Sequence, residues 1–152
     1  MRRRHPWVFS GAIKKIYGQP ADGDLVVVYD NKEEKLGTGH FQNGSIAIRI
    51  LCFGDESVDE DFWKKRIESA WKHRKEEGVF FVDITNVFRL VNAEGDGLPG
   101  LVIDFYNGTA VVQMHSIGMY KNMEIIADAL KRVAGEKLQC IYDKSSATLP
   151  YK

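Results

Sequence analysis

The stretch from Lys35 to Phe53, KLGTGHFQNGSIAIRILCF, decides the fold of the first part of this chain. Two strand-like runs, Lys35 to Gln42 and Ser45 to Phe53, flank the dipeptide Asn43-Gly44, which is typical of tight hairpins. The isoleucines of the second run alternate with other residues, so they share one face of a strand. The pattern predicts a pair of antiparallel strands with one face in a core, and the two glycines of the first run favour bulges.

A further β-branched run precedes this hairpin. Leu25-Val-Val-Val-Tyr29 follows Gly23-Asp24 and has the length of one buried strand. Three short, closely connected strands need a closed or covered sheet. We therefore expect a small β-barrel within residues 1–56, preceded at His5 to Ile16 by about one helical turn and a loop.

The remaining residues, 57–152, predict an α+β unit. Ser57-Val-Asp-Glu60 has the spacing of a capping box, and Phe62 to Glu77 has the apolar period of a helix, which we expect to connect the two units. Asn107-Gly108 predicts a two-residue hairpin. Apolar residues from Met123 to Val133 predict one more helix. The strands of this unit are expected at 79–82, 87–91, 101–106, 109–115 and 138–142, paired antiparallel.

Charge is unevenly distributed along the chain, although 21 basic and 21 acidic residues give a formal net charge of zero. The opening segment contains no acid before Asp22. Guanidinium groups pair with phosphate, and aromatic or imidazole rings stack on unpaired bases. A merely solvated basic face is the alternative, and Trp7 is equally suited to anchor the barrel core. The candidate RNA-binding residues are Arg2, Arg3, Arg4, His5, Trp7, Lys14 and Lys15.

No motif in the sequence supports a catalytic centre. Gly95 to Gly100 matches G-x-G-x-x-G, but a strand-like run follows it where a dinucleotide site needs a helix, so we interpret it as a turn. Glu94 and Asp96 in that turn are expected to be solvated. The four histidines and two cysteines lack metal-ligand spacing.

Two observations concern the compartment in which the protein acts. Cys52 and Cys140 stand alone in apolar runs, which favours a reducing compartment and hence a cytoplasmic location. No apolar stretch approaches the roughly 20 residues that cross a bilayer, so no membrane partner is expected.

Four segments carry a family resemblance. Arg3 to Gly11 (RRHPWVFSG), Gly23 to Val28 (GDLVVV), Glu94 to Asp104 (EGDGLPGLVID) and Ile141 to Asp143 (IYD) resemble the large-subunit ribosomal RNA methyltransferase I family. The resemblance extends over essentially the whole chain. It implies an N-terminal PUA domain, a middle α+β domain and a C-terminal Rossmann-like domain, which transfers a methyl group from S-adenosylmethionine to C5 of a cytosine in 23S rRNA.

The resemblance also implies what this chain lacks. In the family the methyltransferase domain follows the region matching Ile141 to Lys152, so no catalytic or cofactor-binding residue is carried over to this chain. S-adenosylmethionine is implied only for the full-length protein. A strand that normally precedes Arg3 is expected to be missing, and the exposed barrel edge makes self-association possible.

The function expected from these observations is RNA recognition and positioning within a methyltransferase, by a chain that is inactive alone. Its expected partner is 23S rRNA. The alternative is a stand-alone RNA-binding or ribosome-associated module. The sequence leaves both open.

Overall fold

The computed structural model describes residues 5–78 and 85–149. The described residues form two four-stranded sheets, and the expected α+β class is confirmed. The first sheet is antiparallel throughout, in the order β1-β4-β3-β2. Its strands are β1 (Trp7–Phe9), β2 (Leu25–Tyr29), β3 (Lys35–Phe41) and β4 (Ile46–Phe53). The β3–β4 hairpin is confirmed, although its loop covers residues 42–45 instead of only two residues.

The opening segment differs from the sequence prediction. Where we expected a helical turn, β1 pairs with β4, and a 3₁₀ turn at Ser10–Ala12 comes only after it. Three residues are too few to show a strand period, and the partner strand lies far along the chain. Local pattern therefore could not identify β1.

One face of the first sheet is apolar, and bulges bend the sheet around it. A register shift between Thr38 and Gly39 confirms a bulge at the predicted glycines. A Cβ at Gly39 would overlap the backbone of β4, so the two strands approach this closely only because of glycine. The buried residues of this face are Val8, Ile48 and Ile50, with Ile13, Val26, Val28, Phe41 and Phe53 packed against them.

The second sheet has the order β5-β6-β7-β8, and the strand expected at 79–82 lies outside the described residues. Its strands are β5 (Val87–Asn92), β6 (Leu101–Tyr106), β7 (Thr109–Met114) and β8 (Cys140–Asp143). The predicted hairpin at Asn107-Gly108 is confirmed, with positive φ at both residues. The prediction of antiparallel pairing is wrong for β8, which runs parallel to β7, because the chain crosses over through helices between them.

Three α-helices belong to the described residues: α1 (Glu60–Glu76), α2 (Ile117–Lys121) and α3 (Met123–Ala134). The short α2 was not predicted, because five residues carry little periodicity. The helix α1 is capped by Asp59, whose carboxylate accepts a hydrogen bond from the Phe62 amide at 2.9 Å, and not by Ser57 as the capping box implied. Gly78 follows its end with φ 69°, a left-handed conformation that glycine adopts readily at the end of a helix.

The larger core lies between the second sheet and the helices α1 and α3. Its contributions from α1 are Phe62, Trp63, Ile67 and Ala70, and from β4 Leu51 and Cys52. The end of β4 thus contributes to the same core as the second sheet. The two sheets are joined by shared apolar packing as well as by the chain.

Aromatic and polar contacts also join the first sheet to the helices of the second unit. The His40 ring on β3 is buried and stacks on Trp63 of α1, with ring centroids 6.0 Å apart. Lys121 Nζ lies 3.2 Å from the Asp24 carboxylate. A further hydrogen bond runs from the Ile117 amide to a side chain of the β3–β4 loop. We call the contacts between the first sheet and the α1, α2 and 94–100 segments the seam.

Candidate nucleic-acid interface

The predicted RNA-binding residues lie at two places in the first sheet and the loop after β1. Arg2, Arg3 and Arg4 fall outside the described residues. His5 and Trp7 lie at β1, whereas Lys14 and Lys15 lie in the loop between β1 and β2. No hydrogen bond, ion pair or ring contact within residues 5–78 and 85–149 joins these two pairs.

Trp7 has a role that neither sequence interpretation anticipated. It is half-buried, and its indole Nε1 donates a hydrogen bond to Glu94 Oε1 at 2.7 Å. Its ring also makes edge contacts with the rings of His5 and Phe9, at centroid distances of 5.4 Å and 6.3 Å. Trp7 therefore ties β1 to the second unit and holds two exposed rings beside it.

Lys14 and Lys15 line an open groove of about 380 Å³. One wall is the loop after β1, and the other is the β3–β4 hairpin. The lining residues are Ser10, Ile13, Lys14, Lys15, Ile16, Phe41, Gln42, Asn43, Gly44 and Ala47. Both lysines are exposed, so their ammonium groups can reach an anion in the groove without losing all hydration.

An exposed aromatic ring that the sequence reasoning missed lies beside this groove. Tyr17 is 75% exposed, and Lys15 Nζ lies 4.4 Å from the centroid of its ring. In such a pair the cation can contact a phosphate while the solvent-facing ring stacks on a neighbouring base. The signal was present in sequence as an aromatic two residues after the lysine pair. We call the groove together with Tyr17 the basic groove.

Acidic groups border the basic groove on the β2 side. Asp22 accepts a hydrogen bond from the Asn43 amide at 2.6 Å. The pKa of Asp24 is lowered by the hydrogen bond from the Ala21 amide and, secondarily, by Lys121. The Asp24 carboxylate therefore carries its negative charge near neutral pH, which directs an anionic ligand toward the lysine side of the groove.

The glycine-rich segment is a turn, as the sequence interpretation held. A 3₁₀ turn at Ala93–Asp96 is followed by Gly97 at φ 70° and Gly100 at φ 89°, and β6 begins directly afterwards. No helix opens at the third glycine. The segment therefore lacks the helix N-terminus that gives this motif its affinity for phosphate.

The expectation of solvated turn acids holds for Glu94, which is exposed, and is wrong for Asp96. The Asp96 side chain is 8% exposed and pairs with Arg74 at 2.6 Å, while it also accepts a hydrogen bond from the Asn92 amide. Glu94 is exposed but is held by the Trp7 indole. Both acids are structural partners, because the turn folds back onto α1 and β1, a contact that local sequence does not reveal.

Two other kinds of feature are absent from residues 5–78 and 85–149. No three histidine, cysteine, aspartate or glutamate side chains there come together in a group that could hold a metal ion. Among the helices of the same residues, none combines the length and the apolar character needed to span a membrane.

Comparison with known proteins matches the chain to one family. A family model for a PUA-like domain matches residues 1–53. Ribosomal RNA large subunit methyltransferase I from Alteromonas mediterranea is 39% identical over 135 residues, covering 88% of this chain and 34% of that protein. The protein of the same name from Pseudoalteromonas atlantica is 40% identical over 152 residues, covering 99% and 38%. The chain thus spans a little over a third of the length of these relatives.

Solved structures share the fold. A protein from Streptococcus mutans assigned as a SAM-dependent methyltransferase superposes with a TM-score of 0.77 at 20% identity, covering 94% of this chain and 37% of that one. A second structure, assigned as a methyltransferase and complexed with SAH, superposes equally well over 93% of this chain. At this level of identity the likeness establishes the architecture alone.

Proposed function

Because this chain belongs to the ribosomal RNA large subunit methyltransferase I family and matches about a third of its relatives' length, we propose that it is their RNA-recognition and positioning part. In this proposal residues 1–56 are a PUA-like RNA-binding domain, and residues 57–152 are the connecting helix and middle domain. The catalytic domain, with its S-adenosylmethionine, belongs to the remaining length of the relatives. The substrate is 23S rRNA, modified at C5 of a cytosine, in the cytoplasm.

The basic groove is the observation that carries this proposal. Its two lysines are exposed on the domain that the PUA-like family model matches, and Tyr17 offers a solvent-facing ring beside them. Structured RNA is recognised through its phosphates and through bases that stack on aromatic side chains. The groove is open and shallow, which suits a folded polynucleotide better than a small enclosed ligand.

The proposal also assigns no methyl transfer to the chain alone. The chain's G-x-G-x-x-G match is a turn without a following helix, so it offers no phosphate or cofactor cradle. The relatives extend beyond the matched region, which covers 34% and 38% of their length. A role in binding and orienting RNA is what the described residues support best.

The test is a titration of a structured 23S rRNA fragment at several salt concentrations. Each phosphate contact releases counterions, so the logarithm of the affinity falls by about 0.7 to 0.9 per contact for each tenfold rise in salt. Replacing Lys14 and Lys15 by glutamine should lower the affinity and flatten this dependence by about 1.4 to 1.8. Replacing Arg2, Arg3 and Arg4 by alanine should flatten it by about 2 to 3.

The matched control removes the same number of charges elsewhere. Lys72 and Lys75 are exposed on α1, and Lys72 already pairs with Glu76 at 3.6 Å. Their double replacement by glutamine should leave the salt dependence nearly unchanged. If this control weakens binding more than the Lys14 and Lys15 variant does, the RNA lies on a different surface from the one we propose.

A further inference from the structure

Arg49 lies in the middle of the first sheet, on the face that meets the seam. Its cross-strand partners are Trp7 on β1 and His40 on β3, so the three side chains share one face. The isoleucines on either side of it in β4 lie in the apolar core of the opposite face. An arginine at this position is therefore not part of that core and points toward the 94–100 turn.

The surroundings of Arg49 leave its charge without a close acceptor. Its Cδ lies 3.7 Å from the position that a Cβ on Gly100 would occupy, so the stem packs against the turn. Glu94 attracts the Arg49 charge but forms no ion pair with it, and one Glu94 oxygen accepts a hydrogen bond from the Trp7 indole. The guanidinium of Arg49 has no hydrogen bond or ion pair with any residue in 5–78 or 85–149.

The Arg49 guanidinium loses part of its hydration here, and no protein acceptor replaces the lost water contacts. Burial lowers the pKa of the Arg49 guanidinium, and the attraction of Glu94 opposes that change only in part. A partly desolvated cation without hydrogen-bonded partners is unfavourable, whereas an anion that reaches it recovers the lost interaction. By contrast, Arg89 at 50% exposure already holds Asp104 through two hydrogen bonds.

We propose that Arg49 binds a backbone phosphate of the RNA, at the junction between the PUA-like sheet and the 94–100 turn. This inference rests on the function proposed above and extends its interface from the basic groove to the seam. The guanidinium fork can hold two phosphate oxygens at once. The rings of His5 and Phe9, which flank Trp7 and are exposed, lie beside this position and can stack on neighbouring bases.

Glu94 sets the strength of this site. In the free protein its carboxylate partly balances Arg49, and it repels an approaching phosphate. One oxygen of this carboxylate accepts a hydrogen bond from the Trp7 indole, and neither oxygen forms an ion pair with the guanidinium. The RNA phosphate is thus held by direct hydrogen bonds, and the affinity depends on the shape of the fork as well as on its charge.

The experiment compares two substitutions at Arg49 with a distant control, in the complete 152-residue chain and with the same 23S rRNA fragment. Arg49→Gln should lower the affinity and flatten the salt dependence by about 0.7 to 0.9. Arg49→Lys keeps the charge but loses the fork, so the affinity should fall about tenfold while the salt dependence stays close to that of the parent. Arg132→Gln, on the exposed side of α3, should change neither.

The outcomes separate this inference from the proposed function. If the Lys14 and Lys15 variant flattens the salt dependence but Arg49→Gln does not, Arg49 is a structural residue and only the inference fails. If no variant changes the binding, or the parent binds no RNA, both fail. Thermal melting shows whether Arg49→Gln is folded; if it is not, Arg49→Lys decides, and parental affinity in that variant overturns the inference.

Discussion

The buried His40 imidazole should make the protein lose stability between about pH 6.5 and pH 4. Its ring is 2% exposed, and burial lowers its pKa from 6.5 to about 4, with smaller contributions from the charges of Lys121 and Arg49. Its Nε2 lies 3.4 Å from the side-chain nitrogen Nδ2 of Asn122, which is a donor. Its Nδ1 has no partner among the described residues. An added proton would place a donor against a donor and a charge near two cations.

The sign and size follow from proton linkage. Between the two pKa values the unfolded chain binds a proton that the folded chain does not, so the free energy of unfolding falls as the pH falls. Above about pH 6.5 His40 is neutral in both states, so protonation of this ring takes nothing from the free energy of unfolding. Each pH unit within the window costs about 1.4 kcal/mol, so acidification from about pH 7 to pH 5 should cost about 2 kcal/mol.

The assay is urea unfolding at constant ionic strength, followed by tryptophan fluorescence at several pH values. His40→Gln should be less stable at neutral pH but should lose most of the dependence between about pH 7 and pH 5. His73→Gln removes an exposed histidine of α1 and should keep that dependence. Carboxylates titrate in all three proteins, so the difference between the curves isolates His40.

A direct titration of the His40 ring by NMR in the folded protein gives an independent measurement. An apparent pKa near 6.5, or an equal pH dependence in the parent and in His40→Gln, would refute the reasoning.

Four further outcomes are expected. Asp96→Asn leaves a buried arginine without its counter-charge and should cost about 3 kcal/mol in urea unfolding, whereas Asp128→Asn, in an exposed pair, should cost under about 0.5 kcal/mol. Gly118→Ala would force a methyl group into the His40 ring and should cost about 1 to 3 kcal/mol, whereas Gly11→Ala meets open space and should be nearly neutral in the same assay. The chain alone should bind no S-adenosylmethionine, and calorimetry that finds micromolar binding would contradict this. Weak self-association through unpaired edges of the first sheet is expected in sedimentation, and a strictly monomeric chain at high concentration would count against it.

Local sequence signals predicted the elements that depend on neighbouring residues. The turn at Asn107-Gly108 identified its hairpin because the dipeptide itself adopts the required positive φ angles. The bounds of the strand Leu25 to Tyr29 and of the helix ending before Gly78 were predicted within two residues, because the apolar pattern of each lies within its own residues. In contrast, β1 forms because it pairs with the edge of β4, and nothing in Trp7 to Phe9 alone indicates that pairing.

The candidate site divides in the same way. Charge along the chain was sufficient to predict Lys14 and Lys15 as RNA-binding candidates, since an acid-free segment is visible without a structure. Arg49 and Tyr17 were missed because their roles depend on which strand lies opposite and on which rings reach solvent. The sequence did contain one sign of the first, an arginine between two isoleucines of an alternating strand, which marks a polar face.

The parallel strand β8 has a consequence for the order in which the second sheet assembles. The β6–β7 hairpin closes over two residues, whereas β8 reaches β7 only after α2 and α3 have been made. Contacts between distant residues close a larger loop and form later in folding. During synthesis the backbone groups at the free edge of β7 therefore stay unpaired until Cys140–Asp143 has been made. At this edge a nascent chain can mispair with another.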